Sequence, residues 1–148
     1  MHAGDEYRHE PNAQQHDFIE AVTASPDVDF VFGQHAHVVQ PIDRVNGKWV
    51  VYGTGNLIAQ SGPAQPATYD GYVAEVTFTE GTDGFEATAM RWAPTYITKH
   101  SGSRPARVYL IPEAKDQVPA LADAMAQSAA RTRAVVTSRQ PEGLVEIS

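Results

Sequence analysis

Two histidines one residue apart carry the clearest chemical signal in the sequence. His35 and His37 follow a short apolar stretch, residues 28–32, whose β-branched and aromatic residues are typical of a buried strand. Open α/β sheets bind their ligands at the carboxyl ends of strands, and neutral imidazoles are common metal ligands. Gly33 allows a sharp turn without a Cβ clash. The pattern permits a metal site, and a plain surface pair of histidines is the alternative.

Two further motifs accompany this pair. His2 opens the sequence HAGDEY, and Asn56 ends the sequence YGTGN, in which a strand runs into a Gly-rich turn. A third imidazole from His2 could complete a three-histidine face or join a two-metal cluster, whereas the competing interpretation is a solvated terminal segment. Because the chain has no cysteine, any transition-metal site must use His and carboxylate ligands.

The surrounding sequence predicts the elements that would position these motifs. Asn12 can cap a helix over residues 13–24, whose buried stripe would contain Phe18, Ile19 and Val22. A hairpin with an Asn-Gly turn follows over residues 43–45 and 48–52, and then a loop over residues 53–66. Three strands come next, over residues 70–79, 85–97 (with an interruption at Pro94) and 108–111. A second helix is predicted over residues 115–131. The second helix would bury one apolar face: Val118, Leu121, Ala122 and Met125.

These elements together predict an α+β fold. Its sheets would be largely antiparallel, with two main helices, and residues 1–148 would form a single domain or part of one. The motifs fall within residues 1–60, and residues 61–148 would add the remaining strands and the C-terminal helix.

The charge distribution is uneven although the net charge is −7. Residues 1–90 contain three Lys/Arg and 13 Asp/Glu, whereas residues 91–139 contain eight Lys/Arg and three Asp/Glu. A solvated basic edge explains this pattern, and a surface for a polyanion is the alternative. The acidic total argues against nucleic acid as a partner.

In this order and spacing, the three motifs resemble those of CapA-type bacterial capsule synthesis proteins, which are associated with poly-γ-glutamate. The family pattern of H-W-G-x-E-Y, G-x-H-x-H-V-x-Q-P and Y-S-L-G-N corresponds here to HAGDEY, GQHAHVVQP and YGTGN. The chain departs from it at Ala3 and at Gly53-Thr54. The family is similar to calcineurin-like metallophosphoesterases, which implies that this chain is the later half of a β-sandwich flanked by helices.

The resemblance also implies a set of site residues and cofactors. Three residues would be metal ligands and catalytic: His2, His35 and His37. Four would line the cleft and bind substrate: Glu6, Tyr7, Gln40 and Asn56. Two divalent ions of Mn, Fe or Zn are expected in the intact protein.

The earlier superfamily motifs, which supply Asp-x-His, a bridging Asp and Asn-His, have no counterpart in residues 1–148. Two-metal hydrolysis needs a bridging carboxylate, and three neutral imidazoles do not screen two dications. We therefore expect a C-terminal fragment with an incomplete site that is inactive alone and that binds its metal incompletely or not at all.

Three functional hypotheses follow. The first is a metal-dependent hydrolase that acts on an anionic capsule polymer or a phosphoester, together with capsule synthase components. The second is a non-catalytic module that binds or scaffolds the polymer, and the third is a mononuclear zinc enzyme that uses the three histidines. An extracellular or cell-surface location is expected, with membrane anchoring through a segment upstream as one option. Exposed sheet surface in half a sandwich also predicts self-association.

Overall fold

The computed structural model describes residues 1–59, 65–82 and 84–148 and confirms the α+β fold. The helices are α1 (Ala13–Thr23), α2 (Ile111–Ala114) and α3 (Ala122–Val136), with 3-10 turns at Pro66–Tyr69 and Pro119–Leu121. The strands are β1 (Phe30–Phe32), β2 (Ile42–Val45), β3 (Lys48–Val51), β4 (Asp70–Gly81), β5 (Gly84–Ile97), β6 (Val108–Leu110) and β7 (Leu144–Glu146). Across these described residues, every helix is too short or too polar to cross a membrane.

The first sheet directs two loops to one edge. Its order is β1-β3-β2, with β1 parallel and β2 antiparallel to β3. Asn46 and Gly47 have φ values of 50° and 78°, as the predicted type I′ turn between β2 and β3 requires. Because β1 and β3 run in the same direction, the loops after Phe32 and Val51 leave from the same edge. Those loops carry the candidate site.

The second sheet is built on the long pair β4 and β5. β6 pairs antiparallel and β7 pairs parallel with β5. The predicted interruption at Pro94 does not occur, because Pro94 lies between residues 90–92, which pair with β7, and residues 95–97, which pair with β6. Among the described residues, no strand pairs with β5 on this side at Pro94, so the amide hydrogen that proline lacks is not needed there.

The main core joins both sheets to α3. Its fully buried members are Val39, Ile42, Trp49, Val51, Tyr72, Met90, Trp92 and Val136. Trp49 from the first sheet and Trp92 from the second are each 1% exposed. Burial of two such large side chains against each other's sheets contributes several kcal/mol, so the two sheets stabilise one another (~25 cal/mol per Å² of apolar surface).

Helix α1 begins as predicted but buries a different face. Asn12 accepts a hydrogen bond from the Gln15 backbone, and the Gln15 side chain accepts one from the Asn12 backbone, which forms a capping box. Ile19 is buried as predicted, but Phe18 is 44% exposed. Gln15 takes the buried position instead, since its amide donates to Gln40 Oε1 at 2.9 Å. A buried polar contact has replaced the expected apolar one.

The second long helix lies later in the chain than predicted. Its expected bounds were residues 115–131, whereas α3 spans Ala122–Val136. Pro119 explains the late start, because a residue before proline is driven out of helical conformation, and Val118 has φ −128° and ψ 70°. Of the four residues predicted to form its buried face, Met125 alone is fully buried in α3. The buried residues of this helix are Met125, Ser128, Thr132 and Val136.

Two buried tyrosines should make the fold sensitive to alkaline pH. Burial, with a further contribution from Asp43, raises the pKa of Tyr52 to about 12, and burial also raises the pKa of Tyr72. In the unfolded chain both hydroxyls ionise near their ordinary value of 10.0. The unfolded state therefore loses protons first, and the free energy of unfolding falls as pH rises above about 10.

Urea unfolding at a series of pH values measures this effect. We expect the slope of stability against pH above about 10 to be shallower in a Tyr52→Phe, Tyr72→Phe double variant than in the wild type. Each protein's own stability near neutral pH serves as its reference. Identical slopes would show that these hydroxyls ionise as readily in the folded state as in the unfolded one.

Candidate active site

The segment around His2 runs alongside the loop that follows β1. The backbone amide of Ala3 donates to the carbonyl of Gln34 at 3.3 Å, and the amide of Gln34 donates to the carbonyl of Met1 at 3.0 Å. This pairing brings the rings of His2 and His35 together, with centroids 4.5 Å apart and an angle of 45° between their planes. Two histidines from distant parts of the sequence thus lie side by side.

Asn56 determines the tautomer of His37. The Nδ2 of Asn56 donates to the carbonyl of Thr68 at 3.1 Å, which fixes the orientation of the amide. Its Oδ1 can only accept, so the Nδ1 of His37, 2.8 Å away, must carry the proton. The Nε2 of His37 then keeps its lone pair for a cation or a proton. Asn56 is 4% exposed, and both ends of its amide are used.

Three residues at this site have backbone conformations that side chains rarely allow. Tyr7, His35 and His37 have φ values of 62°, 137° and 57°. The amide of Tyr7 donates to the carbonyl of Ala36 at 2.7 Å, and the ring of Tyr7 stacks on that of His37 with centroids 6.2 Å apart. Such strain persists only where neighbouring contacts hold it, and it concentrates at functional sites.

All three histidines line one cleft of about 380 Å³. Its other lining residues are Gln34, Gly55, Asn56, Leu57, Ile58 and Ala59. Leu57 is 43% and Ile58 87% exposed, so the cleft has an apolar wall. This wall could not be predicted, because three apolar residues in a Gly-rich loop form no periodic pattern. The predicted loop over residues 53–66 also includes residues 60–64, which lie outside the described residues.

Of the four residues predicted to line the cleft, Asn56 does so, whereas Glu6, Tyr7 and Gln40 are absent from its lining. Gln40 is 1% exposed, and its Nε2 donates to the backbone carbonyl of Arg8 at 3.1 Å. Through its contact with Gln15, it connects the segment after His2 to α1. Glu6 is exposed. Gln40 therefore stabilises the backbone next to the site through hydrogen bonds to Arg8 and Gln15.

The candidate donors at the cleft are imidazole nitrogens, which are common ligands of transition metals. They comprise a close imidazole pair and a third imidazole, His37, whose Nε2 is left unprotonated by its bond to Asn56. In the part of the chain that the structure describes, no three His, Asp or Glu side chains stand as a group that could hold a metal ion, so binding of one ion by all three histidines would require their side chains to turn toward one another.

Part of the chain is similar in sequence to proteins of a known family. Residues 1–61 match the family described as bacterial capsule synthesis protein PGA_cap. A curated relative is the PGA biosynthesis protein CapA of Bacillus subtilis (strain 168), which is 32% identical over 90 residues. That match covers 60% of this chain and 23% of the relative, so the chain spans about a quarter of the relative's length. No solved structure matches the chain significantly.

Proposed function

We propose that this chain supplies the histidine part of a metal-dependent hydrolase site, because residues 1–61 match the bacterial capsule synthesis family that their motifs resemble. The observation that carries the proposal is that His2, His35 and His37 line one cleft. The site would resemble that of a metallophosphoesterase, and its substrate would be a phosphoester or the anionic capsule polymer. Mn, Fe and Zn are all compatible with imidazole ligands.

The chain's own residues would bind and orient the reacting groups. The three histidines would hold a divalent ion, which supplies Lewis-acid polarisation of a substrate oxygen. Asn56 keeps the proton of His37 on Nδ1, so that Nε2 remains a ligand or a proton acceptor. The ring of Tyr7 restricts rotation of His37 by stacking on it. Bridging carboxylates would come from other parts of a longer protein, consistent with the chain covering 23% of its relative.

A non-catalytic module that binds the capsule polymer is the second candidate. The excess of eight Lys/Arg over three Asp/Glu in residues 91–139 favours it, because a polyanion would be attracted to this part of the chain. Such a module would need no hydrolysis. Turnover therefore separates the two candidates.

Removing Asn56 should weaken the site without removing a ligand. In the full-length gene product, Asn56→Ala should lower metal affinity or p-nitrophenyl phosphate turnover about 10- to 100-fold, because His37 loses its orienting partner. His35→Ala should lower both further, since it removes one ring of the close pair. Calorimetric titration with Mn²⁺ and a colorimetric assay measure the two quantities.

A matched control for these variants is His100→Ala, which removes an imidazole that does not line the cleft. It should match the wild type in both measurements. Metal binding without any turnover would favour the polymer-binding module. Wild-type metal affinity in His35→Ala would show that the cleft is not the metal site.

A further inference from the structure

A second cavity lies beside the 3-10 turn Pro66–Tyr69 and shares no lining residue with the histidine cleft. It is an open surface cavity of about 320 Å³ and is lined by this turn, the end of β5 and one face of α3. Its polar and aromatic lining residues are Tyr69, Tyr96, Lys99, Gln127 and Arg131. All of them lie outside residues 1–61, the segment that matches the capsule synthesis family. The proposed hydrolase function therefore assigns no role to this cavity.

The cavity carries an excess of one positive charge. The Nε and Nη2 of Arg131 donate to the two carboxylate oxygens of Asp70 at 2.7 and 2.8 Å, so the charge of Arg131 is balanced. The Nζ of Lys99 lies 5.4 Å from the centroid of the Tyr69 ring. Among the described residues, Lys99 forms no ion pair. Lys99 is thus the unbalanced cation of the cavity.

Donors and rings are arranged around this charge. The Nη1 of Arg131 is not used in the fork to Asp70, and Arg131 lines the cavity, so this nitrogen is available as a charged donor. Gln127 adds an amide that can both donate and accept. Tyr69 and Tyr96 provide aromatic surface for an apolar group. The volume lies at the small end of the range for small-molecule sites.

We propose that this cavity binds a small organic monocarboxylate. Lys99 Nζ and Arg131 Nη1 bind the carboxylate, Gln127 hydrogen-bonds to a polar group beside it, and the tyrosine rings contact its organic part. One net positive charge matches a carboxylate better than a phosphate, which carries between about −1.5 and −2 near neutral pH. The apolar and amide lining also favours an organic ligand over an inorganic anion.

N-acetyl-L-alanine is a suitable probe because it combines one carboxylate with an amide. In a titration of the metal-free chain at low salt, followed by ¹H–¹⁵N spectra, we expect saturable shifts at the Gln127 side-chain amide and near Lys99. Lys99→Gln should weaken binding about tenfold or more, because it removes a charge-assisted hydrogen bond. Lys115→Gln removes another exposed lysine, which does not line this cavity, and should leave the affinity unchanged.

Two competing ligands make the test decisive. N-acetyl-L-alanine amide, which lacks the charge, should bind at least about tenfold more weakly, and inorganic phosphate should not compete at equal concentration. Equal binding of the acid and its amide would overturn the proposal, as would tighter binding of phosphate or an unchanged affinity in Lys99→Gln. His37→Ala should bind the probe as the wild type does, so this result is separate from the outcome at the histidine cleft.

Discussion

Replacing Arg131 with methionine should lower the free energy of unfolding by about 3 kcal/mol, because it leaves a buried carboxylate without its cation. Asp70 has a side chain that is 1% exposed, and both of its oxygens accept hydrogen bonds from Arg131. These same bonds raise the pKa of Arg131. The side chain of Arg131 is 40% exposed, so solvent screening places the loss at the lower end of the range for buried pairs.

Arg133→Met is the matched control on the same helix. Arg133 also forms two bonds to a carboxylate, at 2.6 Å each to Glu146, but these side chains are 53% and 22% exposed. The expected loss is below about 1 kcal/mol, since exposed ion pairs contribute little. Urea unfolding followed by circular dichroism measures both variants. Equal losses would contradict the burial argument.

The Arg131 variant should also affect the site. Asp70 begins β4 and is followed by Gly71, which forms an isolated bridge with Gly55 in the cleft loop. Loss of the ion pair between Arg131 and Asp70 should therefore make the start of β4 less rigid, and the cleft loop is bridged to β4 at Gly71. We expect the Nδ1 proton of His37 to exchange faster in Arg131→Met than in Arg133→Met.

A single methyl group at position 33 should have a similarly large effect. A Cβ at Gly33 would overlap the backbone carbonyl oxygen of Tyr52, which belongs to the neighbouring loop and cannot rotate away. The amide of Gly33 also donates to the carbonyl of Val51 at 2.7 Å, so the two loops are closely joined at this point. Gly33→Ala should lower the free energy of unfolding by about 3 kcal/mol and displace the loop of His35 and His37.

Gly81→Ala provides the control for this substitution. A Cβ there would lie 3.6 Å from its nearest neighbour, the carbonyl oxygen of Gly84, which is an ordinary contact. Its stability should stay within about 0.5 kcal/mol of the wild type. If Gly33→Ala unfolds at the same urea concentration as the wild type, the two loops are not held as closely as described.

Features with local causes could be predicted from the sequence. The Asn46-Gly47 turn and the start of α1 at Asn12 were correct, since each is set by residues within four positions. The late start of α3 was missed because the weak apolar pattern before Pro119 outweighed the proline itself. Its buried face contains Ser128 and Thr132, which resemble surface residues until the sheet covers them.

The sequence motifs pointed to the three histidines of the cleft but not to the geometry of the loops that carry them. The motifs indicated His2, His35 and His37, and the structure places these in one cleft. The positive φ values of the histidine loop depend on its contacts with the loop after β3, which no local pattern encodes. Asn56 fixes the tautomer of His37 because its Nδ2 donates to the carbonyl of Thr68. No sequence pattern predicts this hydrogen bond.

Long-range ¹H–¹⁵N correlation spectra of the histidine rings, recorded before and after addition of Zn²⁺, test the proposal that His2, His35 and His37 share one cation. Before Zn²⁺, His37 should be the Nδ1–H tautomer. After Zn²⁺, the Nε2 of His37 and one nitrogen each of His2 and His35 should shift together, while His9, His16 and His100 stay unchanged. An Nε2–H tautomer at His37, or Zn²⁺ shifts spread evenly over all six histidines, would contradict the account.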